Sequence, residues 1–281
     1  MINFNGELVN EQNVGLAVTN RGYAYGDSVF ETIRVINGKI MFWEDHYFRL
    51  MASMRIMRME IPQNFSPEFL ENQILKLLKE KNLQNQPVRV KFSVYRKPGG
   101  FYTPKTRHID YFILAESIPA AFYQLNEANY EVELFKDHYI QSGILSTIKT
   151  NNKAINVLGG IFAEENGYGN CLLLNEKKSV VEALNGNLFL VKNNIIKTPP
   201  VNDGALKGII RKQLIDIVKK LPEFKLEEIS ISPFELQKAD ELFVTNVIMG
   251  IQPITKYRKK TYVNTVAKNL LAKLNTKARL G

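Results

Sequence analysis

Ser28-Val29-Phe30-Glu31-Thr32-Ile33-Arg34-Val35-Ile36-Asn37-Gly38-Lys39-Ile40-Met41-Phe42 is the stretch that decides the fold class. Its first nine residues alternate apolar and polar, the period of a half-buried strand. Asn37-Gly38 is a favoured two-residue hairpin turn, because both positions take positive φ. Residues 39–42 are then the return strand. Two helical patterns follow, over about 43–57 and 66–82. Ser66-Pro67-Glu68-Phe69 opens the second, with Ser66 as N-cap and Pro67 at the first helical position. Residues 88–95 alternate cleanly and run into Arg96-Lys97-Pro98-Gly99-Gly100, a loop by its Gly and Pro content. Residues 111–115 form a further strand. Upstream, 2–9 and 14–18 read as short strands and 19–22 as a loop.

Residues 117–126 have no strong period and read as a connection. The second half starts near Tyr130. It holds a helix over 152–166 that stops at Gly167, a buried strand over 171–175 and a hairpin of 187–191 and 195–197 around Asn193-Asn194. A helix over 207–221 and a strand over 241–246 follow. The expected fold is α/β in two domains: 1–117, a connection 118–126, and a larger domain 127–281. No internal repeat interrupts this.

The chain has 281 residues, 45% hydrophobic and 23% charged, enough for a sizeable core and unlike a disordered or collagen-like chain. No run approaches the roughly 18 apolar residues of a membrane span. The N-terminus lacks a signal pattern, so the expected address is the cytoplasm. One cysteine, Cys171, excludes an internal disulfide and a multi-cysteine metal site. The net charge of +9 is local. Lys256, Arg258, Lys259, Lys260, Lys268, Lys273, Lys277 and Arg279 supply eight charges with no acid among them, leaving +1 on the rest. This reads as the solvated face of a terminal helix, with no nucleic-acid motif beside it.

Few residues suggest chemistry alone. The three histidines, His46, His108 and His138, lack metal-ligand spacing. His46, one turn before Arg49, reads as structural. Asn202-Asp203-Gly204-Ala205-Leu206-Lys207-Gly208-Ile209-Ile210-Arg211 is a Gly-bearing turn opening a helix, where free N–H groups attract anions. It is not a nucleotide fingerprint. Lys149 lies between an extended segment and a helix, where a desolvated amine suits Schiff-base chemistry. An isolated lysine is otherwise a surface residue.

The arrangement as a whole says more. Residues 21–34, from Arg21-Gly22-Tyr23 to Thr32-Ile33-Arg34, resemble the N-terminal signature of the class IV aminotransferases, the fold-type IV enzymes that use pyridoxal phosphate (PLP). His46-Tyr47-Phe48-Arg49-Leu50 resembles the helix of that family's phosphate-binding arginine, and Ile148-Lys149-Thr150-Asn151-Asn152 its cofactor-lysine segment. Glu182-Ala183-Leu184-Asn185-Gly186-Asn187-Leu188-Phe189 resembles its acidic motif. Leu206-Lys207-Gly208-Ile209-Ile210-Arg211 resembles its phosphate turn, and Ala239-Asp240-Glu241-Leu242-Phe243-Val244-Thr245-Asn246 its last cofactor loop. The six segments keep the family's order and spacing across nearly the whole chain.

The resemblance implies PLP at the interface of two domains, a homodimer, and small amino-acid and keto-acid substrates. It implies Lys149 as the Schiff-base lysine. Lys153 competes, having Asn156 three residues on, but Lys149 stands at the family's usual interval before Glu182. Glu182 would pair with the pyridine nitrogen. Arg49 and the backbone N–H groups of Ile209, Ile210 and Val247 would hold the phosphate. Leu206 would pack on the ring, with Asn187 and Asn246 nearby. Ile210 and Val247 stand where the family often has Thr, so weaker PLP retention is expected.

Branched-chain aminotransferases, D-amino acid aminotransferases and 4-amino-4-deoxychorismate lyases share these motifs. Tyr25, Phe30, Thr32, Arg89, Arg96, Phe101 and Tyr102 are the expected substrate pocket. Thr32 and Asn246-Val247-Ile248-Met249 resemble the lyases. Phe101 opposes them, because some lyases carry there an arginine that reads a substrate carboxylate. Arg89, Arg96 or Arg107 would have to replace it. The preferred reading is a transaminase of ordinary amino acids, branched-chain ones included. The alternatives are the lyase and, more remotely, a non-catalytic binding protein on the same scaffold.

Overall fold

The computed structural model describes residues 1–15 and 17–280. It has two compact units. The first comprises Met1–Ala121 and, returning later in the chain, Ile148–Asn152. The second comprises Phe122–Thr147 and the chain from Lys153 onward. The return segment is a difference from the sequence reading, which gave 127–281 to the second domain without a break.

In the first unit, β1 (Ile2–Phe4), β2 (Glu7–Val9), β3 (Ser28–Ile36), β4 (Lys39–Ile40), β5 (Pro87–Arg96) and β6 (Ile109–Ser117) form one antiparallel sheet in the order β2-β1-β6-β5-β3-β4. Between them lie α1 (Arg21–Tyr25), α2 (Trp43–Ile56) and α3 (Pro67–Glu80). The β3–β4 turn has φ 48° at Asn37 and 74° at Gly38, as its sequence requires. The return strand ends at Ile40, because Phe42 is left-handed (φ 53°) and starts α2. Ser66 Oγ accepts from Phe69 N at 3.1 Å and caps α3, with Pro67 at its first turn. Val29, Ile33, Val88, Val90, Phe92 and Val94 pack with Leu50, Met54, Leu70, Ile74 and Leu77 of the two helices. The other face of the sheet carries Phe30, Thr32, Lys91 and Ser93, the residues one step out of phase.

Two expectations fail here. Residues 14, 15, 17 and 18 lie in no strand. Residues 21 and 22, read as loop, belong to α1, whose N-cap Asn20 accepts from Tyr23 N. Five residues with a glycine show no period, and α1 is fixed by tertiary bonds of Arg21.

The second unit has a mixed sheet of ten strands. Its members are β7 (Glu131–Ile140), β8 (Asn170–Asn175), β9 (Val180–Ala183), β10 (Gly186–Lys192), β11 (Ile195–Thr198), β12 (Lys225–Glu228), β13 (Glu241–Asn246), β14 (Gly250–Ile254), β15 (Lys256–Tyr257) and β16 (Lys260–Thr261). The order is β12-β11-β10-β9-β8-β7-β15-β16, with β13 between β10 and β14. Its helices are α4 (Ala154–Glu165), α5 (Ile209–Val218), α6 (Pro233–Lys238) and α7 (Thr265–Leu280). Leu172, Leu188, Leu190, Leu242, Val244 and Tyr257 form its main core. Cys171 is buried, and burial pushes its thiol up to about 12.

The basic C-terminal stretch is partly paired. Lys256 meets Glu131 at 3.1 Å, Arg258 meets Glu133 at 3.5 Å and Lys277 meets Asp216 at 3.5 Å. No helix among the described residues is long and apolar enough to cross a membrane.

Candidate active site

In the first unit the return segment is laid against β3. Thr150 bridges Val29, Lys149 O accepts from Phe30 N at 2.9 Å, and Asn151 N donates to Ser28 O at 3.2 Å. These bonds fix the backbone of Lys149. Its amine lies 4.5 Å from the Phe30 ring centroid, a cation–π contact. Lys91 reaches the same ring, at 5.2 Å. Its strand position faces Thr32 in register. Sequence reading missed Lys91, because which β5 residue sits beside Phe30 depends on a strand register the sequence does not print.

On the other face of β3, Arg49 from α2 meets Glu31. Nε donates to Oε1 at 2.8 Å and Nη2 to Oε2 at 2.5 Å. His46 Nδ1 is 2.7 Å from the same Oε2. Burial alone would raise the Glu31 carboxyl, but Arg49 and His46 outweigh it and hold it at about 2. Burial lowers His46. Glu31 also escaped the sequence reading, although the alternation itself carried a signal. It puts a carboxylate in phase with Val29 and Ile33, on the buried side.

The substrate candidates separate into distinct environments. Phe30 and Thr32 share the open sheet face with Lys91. Arg89, two residues from Lys91, pairs with Glu116 at 3.3 Å. Arg96 is buried and fully engaged: Nε and Nη2 donate to Asp27, Nη2 also to Met57 O, and Nη1 to Arg58 O. These bonds tie Arg96 to Asp27 and to the turn that follows α2. Arg21 also binds Asp27, and its Nη1 donates to the carbonyls of Gly99, Gly100 and Phe101. That loop presents Phe101 and Tyr102 at 82% and 91% exposure, with Tyr102 edge-on to Tyr25 at 5.9 Å. Arg107 is exposed.

In the second unit, Glu182 on β9 is the centre of a smaller cluster. Its Oε2 accepts from Leu206 N at 3.0 Å and from Asn187 Nδ2 at 3.3 Å. Asn187 Nδ2 also donates to Leu206 O at 2.9 Å. These bonds orient the carboxylate and tie it to the turn before α5. Burial lowers the Lys153 amine and Glu182 partly restores it. Lys153 is the N-cap residue of α4.

α5 begins at Ile209 after Gly208, which offers no side-chain cap. An uncapped first turn directs backbone N–H groups at whatever anion is present. A Cβ on Gly208 would come within 1.9 Å of Asn187 Oδ1, so any larger residue must push that side chain aside. The Ile210 and Val247 side chains are buried, at 1% and 8% exposure, leaving their backbones for polar contacts. Asn246 Oδ1 accepts from Ile248 N and Met249 N, and Tyr123 donates to Val247 O, which shapes the loop after β13.

Residues 28–257 match the sequence model of the family described as amino-transferase class IV. A candidate branched-chain-amino-acid aminotransferase of Methanocaldococcus jannaschii is 30% identical over 279 residues, 98% of this chain and 94% of that protein. A D-alanine aminotransferase of Staphylococcus epidermidis is 27% identical over 259 residues, covering 90% of this chain and 87% of its own. The crystal structure of the branched-chain amino acid aminotransferase of Escherichia coli superposes with a TM-score of 0.87 at 24% identity, over 99% of this chain and 94% of that one. The architecture built up above is thus the two-domain α/β fold of fold-type IV enzymes, and the chain belongs to the class IV aminotransferase family.

Proposed function

We propose that this chain is a PLP-dependent aminotransferase moving an amino group between an amino acid, branched-chain donors among them, and a keto acid. The residues fit the cofactor by the chemistry of their donors. They include a lysine amine with a fixed backbone, an oriented carboxylate, a guanidinium, and a helix start without a side-chain cap. When bound, PLP supplies an aldehyde for imine chemistry and a ring that takes up electron density.

The observation that carries the reading is the placement of Lys149 by the return segment. In this reading Lys149 holds the cofactor through its amine, then takes the proton from the substrate Cα and returns it. Glu182, aimed by Leu206 N–H and Asn187, would accept from the ring nitrogen and so favour its protonated form. As the resemblance implies, Arg49 and the N–H groups of Ile209, Ile210 and Val247 would hold the phosphate, and Leu206 would cover the ring. Phe30, Thr32, Tyr25, Phe101 and Tyr102 line the substrate side. A homodimer is the expected assembly, as the resemblance implies.

Lys91 favours a second reading. A cation beside the ring that Lys149 touches suits a substrate with more than one carboxylate, as the lyase requires. The test supplies the PLP-loaded protein with single amino acids, branched-chain and D-forms included, and a keto acid acceptor, and follows keto-acid formation. Transfer from one donor supports the aminotransferase and names its subgroup. Pyruvate release from 4-amino-4-deoxychorismate with no transfer from any amino acid sinks it in favour of the lyase.

A further inference from the structure

Three polar side chains stand together inside the apolar core of the first unit. Glu31 is 1% exposed and His46 is 0% exposed, among Val29, Ile33, Leu50 and Met54. A carboxylate costs a great deal there unless it is paired. Replacing such a buried group by well-packed apolar residues is often neutral or stabilising, so stability alone is a weak reason for it. Its geometry offers another reason.

Arginine is a long side chain with several rotatable bonds, and ordering it on binding is costly. Here the Glu31 carboxylate takes Nε and Nη2 of Arg49 side by side, at 2.8 and 2.5 Å. A bidentate fork of this kind fixes the plane of the guanidinium as well as its position. The pair thereby sets the direction of Nη1. The arginine side chain is 10% exposed against 2% for Glu31, so Arg49 is the more accessible partner of the pair.

His46 completes the support. Its Nδ1 is 2.7 Å from Glu31 Oε2, which already takes Arg49 Nη2. The Glu31 carboxylate can only accept, so Nδ1 carries the proton and donates to it, and burial lowers the pKa of the ring. Its Nε2 is buried without a partner among the described residues. The ring therefore serves the carboxylate with one nitrogen and nothing with the other.

We propose that Glu31 and His46 are positioning residues that hold Arg49 in the orientation that binds the cofactor phosphate. Glu31 fixes the guanidinium and His46 fixes Glu31. This rests on the reading of Arg49 as the phosphate ligand. It predicts a penalty confined to ligands that carry the phosphate.

The experiment measures affinity for PLP and for pyridoxal, which lacks the phosphate, by equilibrium dialysis on wild-type, Glu31→Gln and His46→Phe proteins. The amide introduced by Glu31→Gln would turn an N–H₂ group toward a guanidinium N–H. The expected result is about tenfold weaker PLP binding for Glu31→Gln, with pyridoxal unchanged. His46→Phe keeps the ring volume and loses one bond to Glu31; about threefold weaker PLP binding is expected, again with pyridoxal unchanged. If Glu31→Gln does not fold, His46→Phe decides the matter alone. Equal losses for PLP and pyridoxal, or no loss for either, would overturn the proposal. Wild-type protein that binds both equally, or Arg49→Lys protein that keeps full preference for PLP, would overturn the phosphate reading of Arg49 itself.

Discussion

Glu31 and His46 make the first unit sensitive to acid, and the sign of each effect can be worked out. Glu31 sits at about 2 in the folded chain against an ordinary 4.5. Its stabilisation is present above 4.5 and is lost as pH falls toward about 2. His46 lies below its ordinary 6.5 because burial disfavours its charged form. Just below that pH the unfolded chain takes up a proton that the folded one does not, so stability falls there too. His46→Phe should flatten the melting-temperature profile just below pH 6.5 while leaving the deeper acid limb. Thermal unfolding across that range checks it; a parallel-shifted profile would count against the assignment. Gly208 makes a second prediction of this kind. Gly208→Ala drives a methyl group against Asn187 Oδ1, which should cost about 1–3 kcal/mol in thermal unfolding and loosen Asn187 from Glu182.

Among the elements, α3 has its start written into four residues. Ser66→Ala removes the bond to Phe69 N and should cost about 1 kcal/mol in urea unfolding, with the m-value unchanged. Elements of this kind were legible in the sequence. The alternation of β3 and β5, Asn37-Gly38, Ser66-Pro67 and Gly167 each carry a local signal that tertiary structure did not override. What was not legible depended on partners. Residues 14, 15, 17 and 18 lie in no strand, and α1 is held by its Asn20 cap and by Arg21, which reaches Asp27 and the Gly99–Phe101 carbonyls. β7, the long strand beside β8 and β15, was not anticipated as a strand. The candidate site divides the same way. Lys149, Arg49 and Glu182 could be proposed from motifs, whereas Lys91 needed the register of β3 against β5, the partners of Glu31 needed the packing of α2 on β3, and those of Arg96 needed the approach of Asp27 and of the turn after α2.

For the whole molecule the return of Ile148–Asn152 to the first unit has its own test. A fragment ending at Ala121 lacks the segment that bonds to Ser28, Val29 and Phe30 and leaves Ile148 out of the core. It should unfold at a lower temperature than the same unit within the full chain, and its amide protons at residues 28–30 should exchange faster. Equal protection of those amides would sink the idea. The same feature bears on how such a protein can be inherited or engineered. The chain is sewn with two stitches rather than hinged at one seam. No single cut yields two self-sufficient modules, and an exchange of halves between relatives at residue 121 would carry the lysine from one parent into a bed built by the other. Because the bonds to that bed join backbone groups, what the parents must share is the path of the strand at residues 28–30, and the lysine and its bed form one structural unit despite lying over a hundred residues apart.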